Sequence, residues 1–503
     1  LNKHQHIFTL KKCILVITFL SSSFFSVAQI LTSSPYSRYG LGELNQQTFA
    51  ASSAMGGSFI AYHQDTIAPF FINVSNPAGL AGLKLTTLEL GGQMQFSKIS
   101  SSSLSANKTN TNFSYGSVGF PLRKIGGGGA FGVMPYSTVG YKISSTEELA
   151  SVGTMNYIFE GVGGINKVFV GVGLKPFRKQ FSKFQHSNGY DTIVKYHQSA
   201  KLKRKKFGKQ LLSELAIGAT GNYLFGNVNQ TTDVIYPSTT TSSGSIYYNY
   251  FNSKRQRSIQ VNDFTFNFGL QTHFTIDSIR YHGKDTLKQG HRRVFKQKIK
   301  IGTGFYINSP TNIAAKQSTI IYNYSVDDFG TQRPKDTVVN SQDNKGTITL
   351  PLEMGIGFSV KKGEKLTILM DGAITNWSGF KLFNSPTTDF KNSMRLSAGL
   401  NYVPNKLAYG SSNYMQRVQY RIGFTYSDGY LDLKNTGITN YAITAGLGLP
   451  VGIGRFDDIA VINISAQFGR LGSVNNSLLQ EDYARIIIGF TFNKRWFIKY
   501  KYD

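Results

Sequence analysis

Cysteine is nearly absent from this chain of 503 residues; Cys13 is the only one. It lies at the front of an N-terminal apolar run. Beyond it there is no thiol for a disulfide, a thiolate nucleophile or a cysteine-ligated metal. Acidic residues are also scarce, 27 against 54 Lys and Arg, for a formal charge of +27. After the N-terminus no apolar run reaches the roughly 20 residues a membrane helix needs, and mean hydropathy is −0.19. Catalytic signatures are missing too. There is no H-E-x-x-H, no phosphate-binding Walker loop and no G-x-S-x-G, and the eight histidines are scattered, two of them (His4 and His6) at the extreme N-terminus. Gly126–Gly129 joins two strand-like segments without a following Lys or helix, so it reads as a turn. The expectation is a protein that is not an enzyme and holds no cofactor or metal.

What the chain does have is glycine, 52 residues, and aromatics, 13%. From residue 84 onward these sit in segments of period two. In Met394–Tyr402 the even positions are Met, Leu, Ala, Leu and Tyr, against Arg, Ser, Gly and Asn. Val418–Tyr426 repeats the pattern, with Val, Tyr, Ile, Phe and Tyr against Gln, Arg, Gly and Thr. Such alternation hides hydrophobicity from a running average and marks transmembrane β-strands. A soluble β-sandwich also alternates, but it does not need so many successive strands with glycine and polar residues on the second face. The predicted fold is all-β: a transmembrane antiparallel β-barrel of about 14 strands, the first near 84–99, the eighth near 346–360 and the last near 483–502. Long loops are expected near 175–211, 231–256, 277–293 and 310–345. Ahead of the barrel, Lys3, Lys11 and Lys12, the apolar Cys13–Leu20 and the small Ser26-Val27-Ala28 read as a signal peptide over 1–28.

Residues 29–83 have neither period. Within them Gly56, Gly57, Gly79 and Gly82 permit unusual or close-packed backbone, and Pro77 biases Asn76 toward an extended shape. Apolar, irregular backbone of this kind cannot face lipid, but it can sit inside a barrel whose wall completes its hydrogen bonds. The Met-Gly-Gly-x-Phe-x-Ala run at Met55–Ala61, with Asn76-Pro77-Ala78-Gly79-Leu80 ahead of the first strand, resembles the FadL/OMPP1/TodX family. Its Bacteroidetes members, including the barrel subunit of type 9 secretion, open in the same way. The resemblance implies an outer-membrane location and a luminal hatch. It also implies 14 strands and passive uptake of hydrophobic small molecules such as long-chain fatty acids.

Gly56, Gly57, Asn76, Pro77, Ala78 and Gly79 are therefore the expected hatch motif. Asn76 is expected to bond the wall through both ends of its amide. Asp371, Arg395, Asn401, Arg421 and Gln467, on the inward face, are candidates to anchor the hatch or line a route. The basic loops 175–211 and 277–293 fall by strand parity on the periplasmic side. They offer either a solvated surface or a docking face for acidic protein partners or lipid head groups; an exported barrel meets no nucleic acid. These loops support a second function, a non-transporting accessory barrel in a multi-protein secretion or barrel-assembly machine. Five Asp-Ser/Thr-aliphatic triplets, at Thr66, Thr192, Ser278, Thr286 and Thr337, resemble the O-glycosylation acceptor of Bacteroidetes exported proteins. Four of them fall in predicted long loops. The same triplet is also how a turn enters a strand.

Overall fold

The computed structural model describes residues 34–494 apart from 65–68, 151, 178–207, 209, 241–245, 249, 285–291, 328, 407, 409–410 and 452–458. The expected leader, 1–28, lies outside these. Fourteen strands form the wall: β1 (Thr86–Ser100), β2 (Ser105–Leu122), β3 (Gly127–Leu149), β4 (Gly153–Leu174), β5 (Ala216–Ile235), β6 (Asn252–Lys284), β7 (Arg292–Asn308), β8 (Glu353–Lys362), β9 (Leu366–Thr375), β10 (Ser393–Tyr402), β11 (Gln419–Ser427), β12 (Asn440–Val451), β13 (Ile459–Gly472) and β14 (Gln480–Lys494). Each pairs antiparallel with the next, and β1 closes the barrel on β14 from Thr86↔Lys494 to Ser100↔Gln480.

The period-two pattern sets the faces. Ile422 and Phe424 of β11 stand half-exposed on the outside, while Arg421 and Thr425 are buried in the lumen. On β6, Phe264, Phe266, Phe268 and Leu270 make an outward apolar row, and on β14 Ile486, Ile488 and Phe490 do the same. Among the described residues no helix is long and apolar enough to cross a membrane. A closed antiparallel barrel with an even strand count, apolar outside and polar inside, is the architecture of a bacterial outer-membrane protein.

Three expectations need correction. The segment 346–360 is not one strand: Pro351 has no amide hydrogen to donate, and the chain breaks there between Gln332–Leu350 and β8. The predicted loop 310–345 is ordered β-structure. Thr311–Val326 and Gln332–Leu350 form a hairpin that pairs with the outer end of β6, Ala315↔Val261 to Tyr324↔Asn252. Here the sheet continues beyond the barrel, and the polar exposed strand 332–347 had no apolar alternation to reveal it. The predicted loop 277–293 is likewise mostly ladder, with β6 and β7 paired out to Lys284↔Arg292. A small hairpin, Ser238–Thr240 with Ile246–Tyr248, occupies the connection expected as the loop 231–256. Much of 175–211 and the chain after Lys494 lie outside the described residues.

The wall has an irregular seam at β2–β3. The β2–β3 ladder covers only Gly116–Leu122 and Gly127–Val133. Just beyond, Pro135 lacks a donor and the β3–β4 register shifts between Pro135 and Ser137. On its β2 side, β3 then takes a two-residue strand of the luminal segment as its neighbour, Glu43↔Thr138 and Leu44↔Ser137. Asn45 N donates to Tyr136 O at 3.0 Å, and Ser137 Oγ donates to Leu41 O at 2.8 Å. Residues 37–47 thus complete backbone groups that β2 leaves.

Candidate functional site

The segment 34–83 fills the lumen. Asn76 organises its inner end by capping the 3₁₀ helix Pro77–Gly82: its Oδ1 accepts from Ala78 N at 3.1 Å, and Pro77 has no amide hydrogen to strand. Its Nδ2 donates to Ile60 O at 2.9 Å, to Leu270 O at 3.0 Å and to Phe305 O at 3.3 Å. Only the nitrogen end therefore hydrogen-bonds the wall, and the oxygen end takes its hydrogen bond within the hatch. That corrects the expectation for Asn76, because the cap competes for the oxygen. Ala78 is fully buried, and Gly56 and Gly57 adopt φ of +67° and +81°, which favours glycine there.

Around this segment the inward glycines of the wall act as seats. A Cβ at Gly218 of β5 would lie 2.4 Å from Ala78 N, and one at Gly269 of β6 would lie 2.0 Å from Asn76 Oδ1. Gly304 of the neighbouring β7 would place a Cβ 2.3 Å from Ile60 O, and on the far side Gly423 of β11 one 2.3 Å from Gly56 N. Side chains there would push the hatch off. Gly119, Gly128, Gly173, Gly357, Gly399, Gly446 and Gly489 seat it on β2, β3, β4, β8, β10, β12 and β14. The helical turn Ala50–Ser53 packs on β13. Carboxylates hold it on the remaining two strands. Asp371 Oδ2 on β9 accepts from Phe59 N at 2.6 Å and Ile60 N at 2.9 Å, and Glu89 Oε1 on β1 accepts from Ile72 N at 2.8 Å. The hatch thus touches every strand of the wall. Asn493 grips Phe70 from both sides, accepting from its N at 2.8 Å and donating to its O at 3.1 Å. Each such pairing removes a buried orphan amide that would otherwise cost about 1–3 kcal/mol.

His63 completes the inner belt. Its ring stacks on His273 of β6 with centroids 4.5 Å apart, and neither ring nitrogen has a hydrogen-bond partner. His273 Nε2 lies 3.5 Å from Glu214, which Lys175 pairs at 2.5 Å. Burial holds the His63 pKa well below its usual range, and His273, Lys361, Lys300 and Lys175 push the same way. Sequence reading missed this pair, since nothing local links residues 63 and 273.

The other expected residues divide. Asp371 is a hatch anchor. Arg421 bonds Asn463 at 2.8 Å and also Gln419, with its guanidinium 5.5 Å from the centre of the Phe71 ring. Arg395 sits higher, 3.7 Å from Glu353, beside Tyr306, which donates its hydroxyl to Glu353. Asn401 and Gln467 point inward with no hydrogen bond to the hatch among the described residues. Thr337 is exposed on the outer hairpin strand rather than in a loop. Ser278 lies within β6 with its side chain undescribed, and Thr66, Thr192 and Thr286 lie outside the described residues.

Above the hatch is a cavity of about 310 Å³. Residues 43–47 of the luminal segment, Tyr136, Lys167, Asn222, Tyr306, Glu353, Arg395 and Tyr430 line it. An apolar cluster adjoins it, in which Tyr36 and Leu41 join Val139 and Ile259 of the wall, Ile348 of the outer hairpin and Trp377, Phe380, Phe390 and Leu431 of the outer loops.

The sequence matches the profile of the BamG family over residues 9–184 and 202–503. The chain belongs to the BamG family. No curated protein matches it. Among solved structures it is similar to the toluene transporter TodX of Pseudomonas putida, with 14% identity and a TM-score of 0.49 over 90% of this chain and 100% of that one. A FadL homologue of Pseudomonas aeruginosa aligns with 10% identity and a TM-score of 0.47, covering 91% and 100%. The monoaromatic hydrocarbon channel CymD aligns with 12% identity and a TM-score of 0.46, covering 91% and 99%. This BamG-family chain is an outer-membrane β-barrel.

Proposed function

We propose that this barrel works as a plugged accessory subunit of a multi-protein outer-membrane machine for secretion or barrel assembly. The observation that carries this reading is the hatch: it meets all fourteen strands, through glycine seats, buried hydrogen bonds and, at β13, the packed turn Ala50–Ser53. Opening a route would break many of these at once, and each buried amide left unpaired carries a cost of about 1–3 kcal/mol. Membership of the BamG family agrees with it, as do the basic segments 175–211 and 277–293, which strand parity assigns to the periplasmic side. Those segments are suited to acidic protein partners or to lipid head groups.

The second reading is passive uptake of a hydrophobic small molecule, gated by the hatch. The cavity above the hatch favours it. One pair of measurements separates the two. Purification from native membranes in mild detergent should bring down a defined set of outer-membrane and periplasmic proteins, and the pure barrel should be silent in planar bilayers. Purification of the barrel alone, with reduced uptake of a hydrophobic probe in the deletion strain, would overturn the accessory reading.

A further inference from the structure

The cavity above the hatch is polar in an uneven way. Lys167 of β4 lines it, is 6% exposed, and makes no hydrogen bond or ion pair among the described residues. The other charges around it are already engaged: Arg395 with Glu353 at 3.7 Å, and Glu43 with a partner of its own. Glu353 is the carboxylate that acts on Lys167, but it is engaged by Arg395, Tyr306 and Asn308, so Lys167 has no ion pair of its own among the described residues and rests 5.9 Å from the Phe169 ring centre. A buried ammonium in a membrane-embedded lumen is costly and is retained where it meets a ligand.

The neutral groups add a second asymmetry. Asn222 Oδ1, Asn308 Oδ1 and Gln47 Oε1, all on cavity-lining residues, are buried acceptors without a protein partner, and Asn45 Nδ2 is a donor in the same position. Tyr136, Trp377 and Tyr430 supply flat walls. We infer that this cavity is a binding site for a small planar organic monoanion, a carboxylate seated on Lys167 whose body donates hydrogen bonds to the orphan amide oxygens. The volume suits a molecule of about ten to fifteen heavy atoms. The site does not depend on whether the barrel assembles with partners.

The test uses the full-length protein in detergent and calorimetric titration with 4-hydroxybenzoate and its uncharged analogue 4-hydroxybenzamide. The carboxylate should bind saturably and at least about tenfold more tightly than the amide. Lys167→Met, which keeps the stem and removes the charge, should erase the difference, whereas Lys167→Arg should retain part of it. Equal affinities for the two probes, or no saturable heat with either, would overturn the proposal and leave a water-filled cavity. The comparison of probes on the unaltered protein stands even if Lys167→Met does not fold. Co-purification of partners is untouched by either result, so this inference and the accessory-subunit reading fail separately.

Discussion

The inner and outer halves of the lumen are filled by different means. In the inner half, hatch backbone lies directly on wall glycines, and wall side chains reach hatch amides as a second layer of hydrogen bonds. In the outer half, aromatic side chains of the N-terminal segment and loops pack loosely enough to leave a cavity. Backbone-on-glycine contact has no side chain to repack, so it holds one geometry or none. An aromatic cluster can shift rotamers around an added group. The inner half is therefore built as a seal and the outer half as a pocket.

The strongest way to break this contrast lies on one strand. Gly423 and Ser427 share the inward face of β11, the first under Gly56 and the second lining the cavity. Gly423→Leu should displace the hatch, at a cost of about 1–3 kcal/mol or more, and open a measurable conductance while the barrel stays heat-modifiable. Ser427→Leu should leave conductance at zero. Matching behaviour of the two variants would remove the distinction.

Asp371→Ala comes next. It strands two buried amides, Phe59 N and Ile60 N, which should loosen that turn by about 3 kcal/mol. Hydrogen exchange should rise at residues 58–61 and remain unchanged at Tyr36–Leu41. A uniform rise would mean that the two halves are coupled.

A smaller effect is expected from Asn76→Ala, which removes the cap of Pro77–Gly82 and the links to Leu270 O and Phe305 O. About 1–2 kcal/mol should be lost locally, read as exchange at residues 76–82. Protection equal to that of the parent protein would assign the hold on this turn to the glycine seats alone.

The gentlest perturbation is acid. The folded pKa of His63 lies below the ordinary 6.5 because of burial. The seated hatch thus binds fewer protons than the released one, so stability is full above about pH 6.5 and declines as pH falls through and below that value. As pH falls from about 7.5 to about 5, protection of the amides near His63, taken relative to their intrinsic exchange rates, should decrease, and His63→Asn should flatten the dependence. A parent protein that is insensitive over this range would place the pair's role in packing only.

Much of the wall could be read locally. Alternation in Met394–Tyr402, Val418–Tyr426 and the run from Ile486 decides which side chains meet lipid, because a strand must turn successive residues to opposite faces. The glycines on the second face were visible as small residues, but their use as seats was not. That depends on which hatch atom arrives there, and Gly218 and Ala78 lie far apart in the chain. The outer hairpin strand was hidden for the opposite reason: over residues 332–347 both its faces are wet, so it carries no period there.

The sequence by itself determined an irregular luminal segment and a ring of alternating strands, since periodicity, glycine and proline act through local backbone geometry. Only the tertiary structure decided that Asn76 spends its oxygen on a cap and its nitrogen on the wall. The same holds for the stacking of His63 on His273, the lacing of residues 37–47 along β3 beyond Pro135, and the isolation of Lys167 in a cavity. Each of these joins groups that share no local pattern. They meet because closing the barrel brings distant strands around one plug, and buried polar groups then take whatever partner that closure supplies.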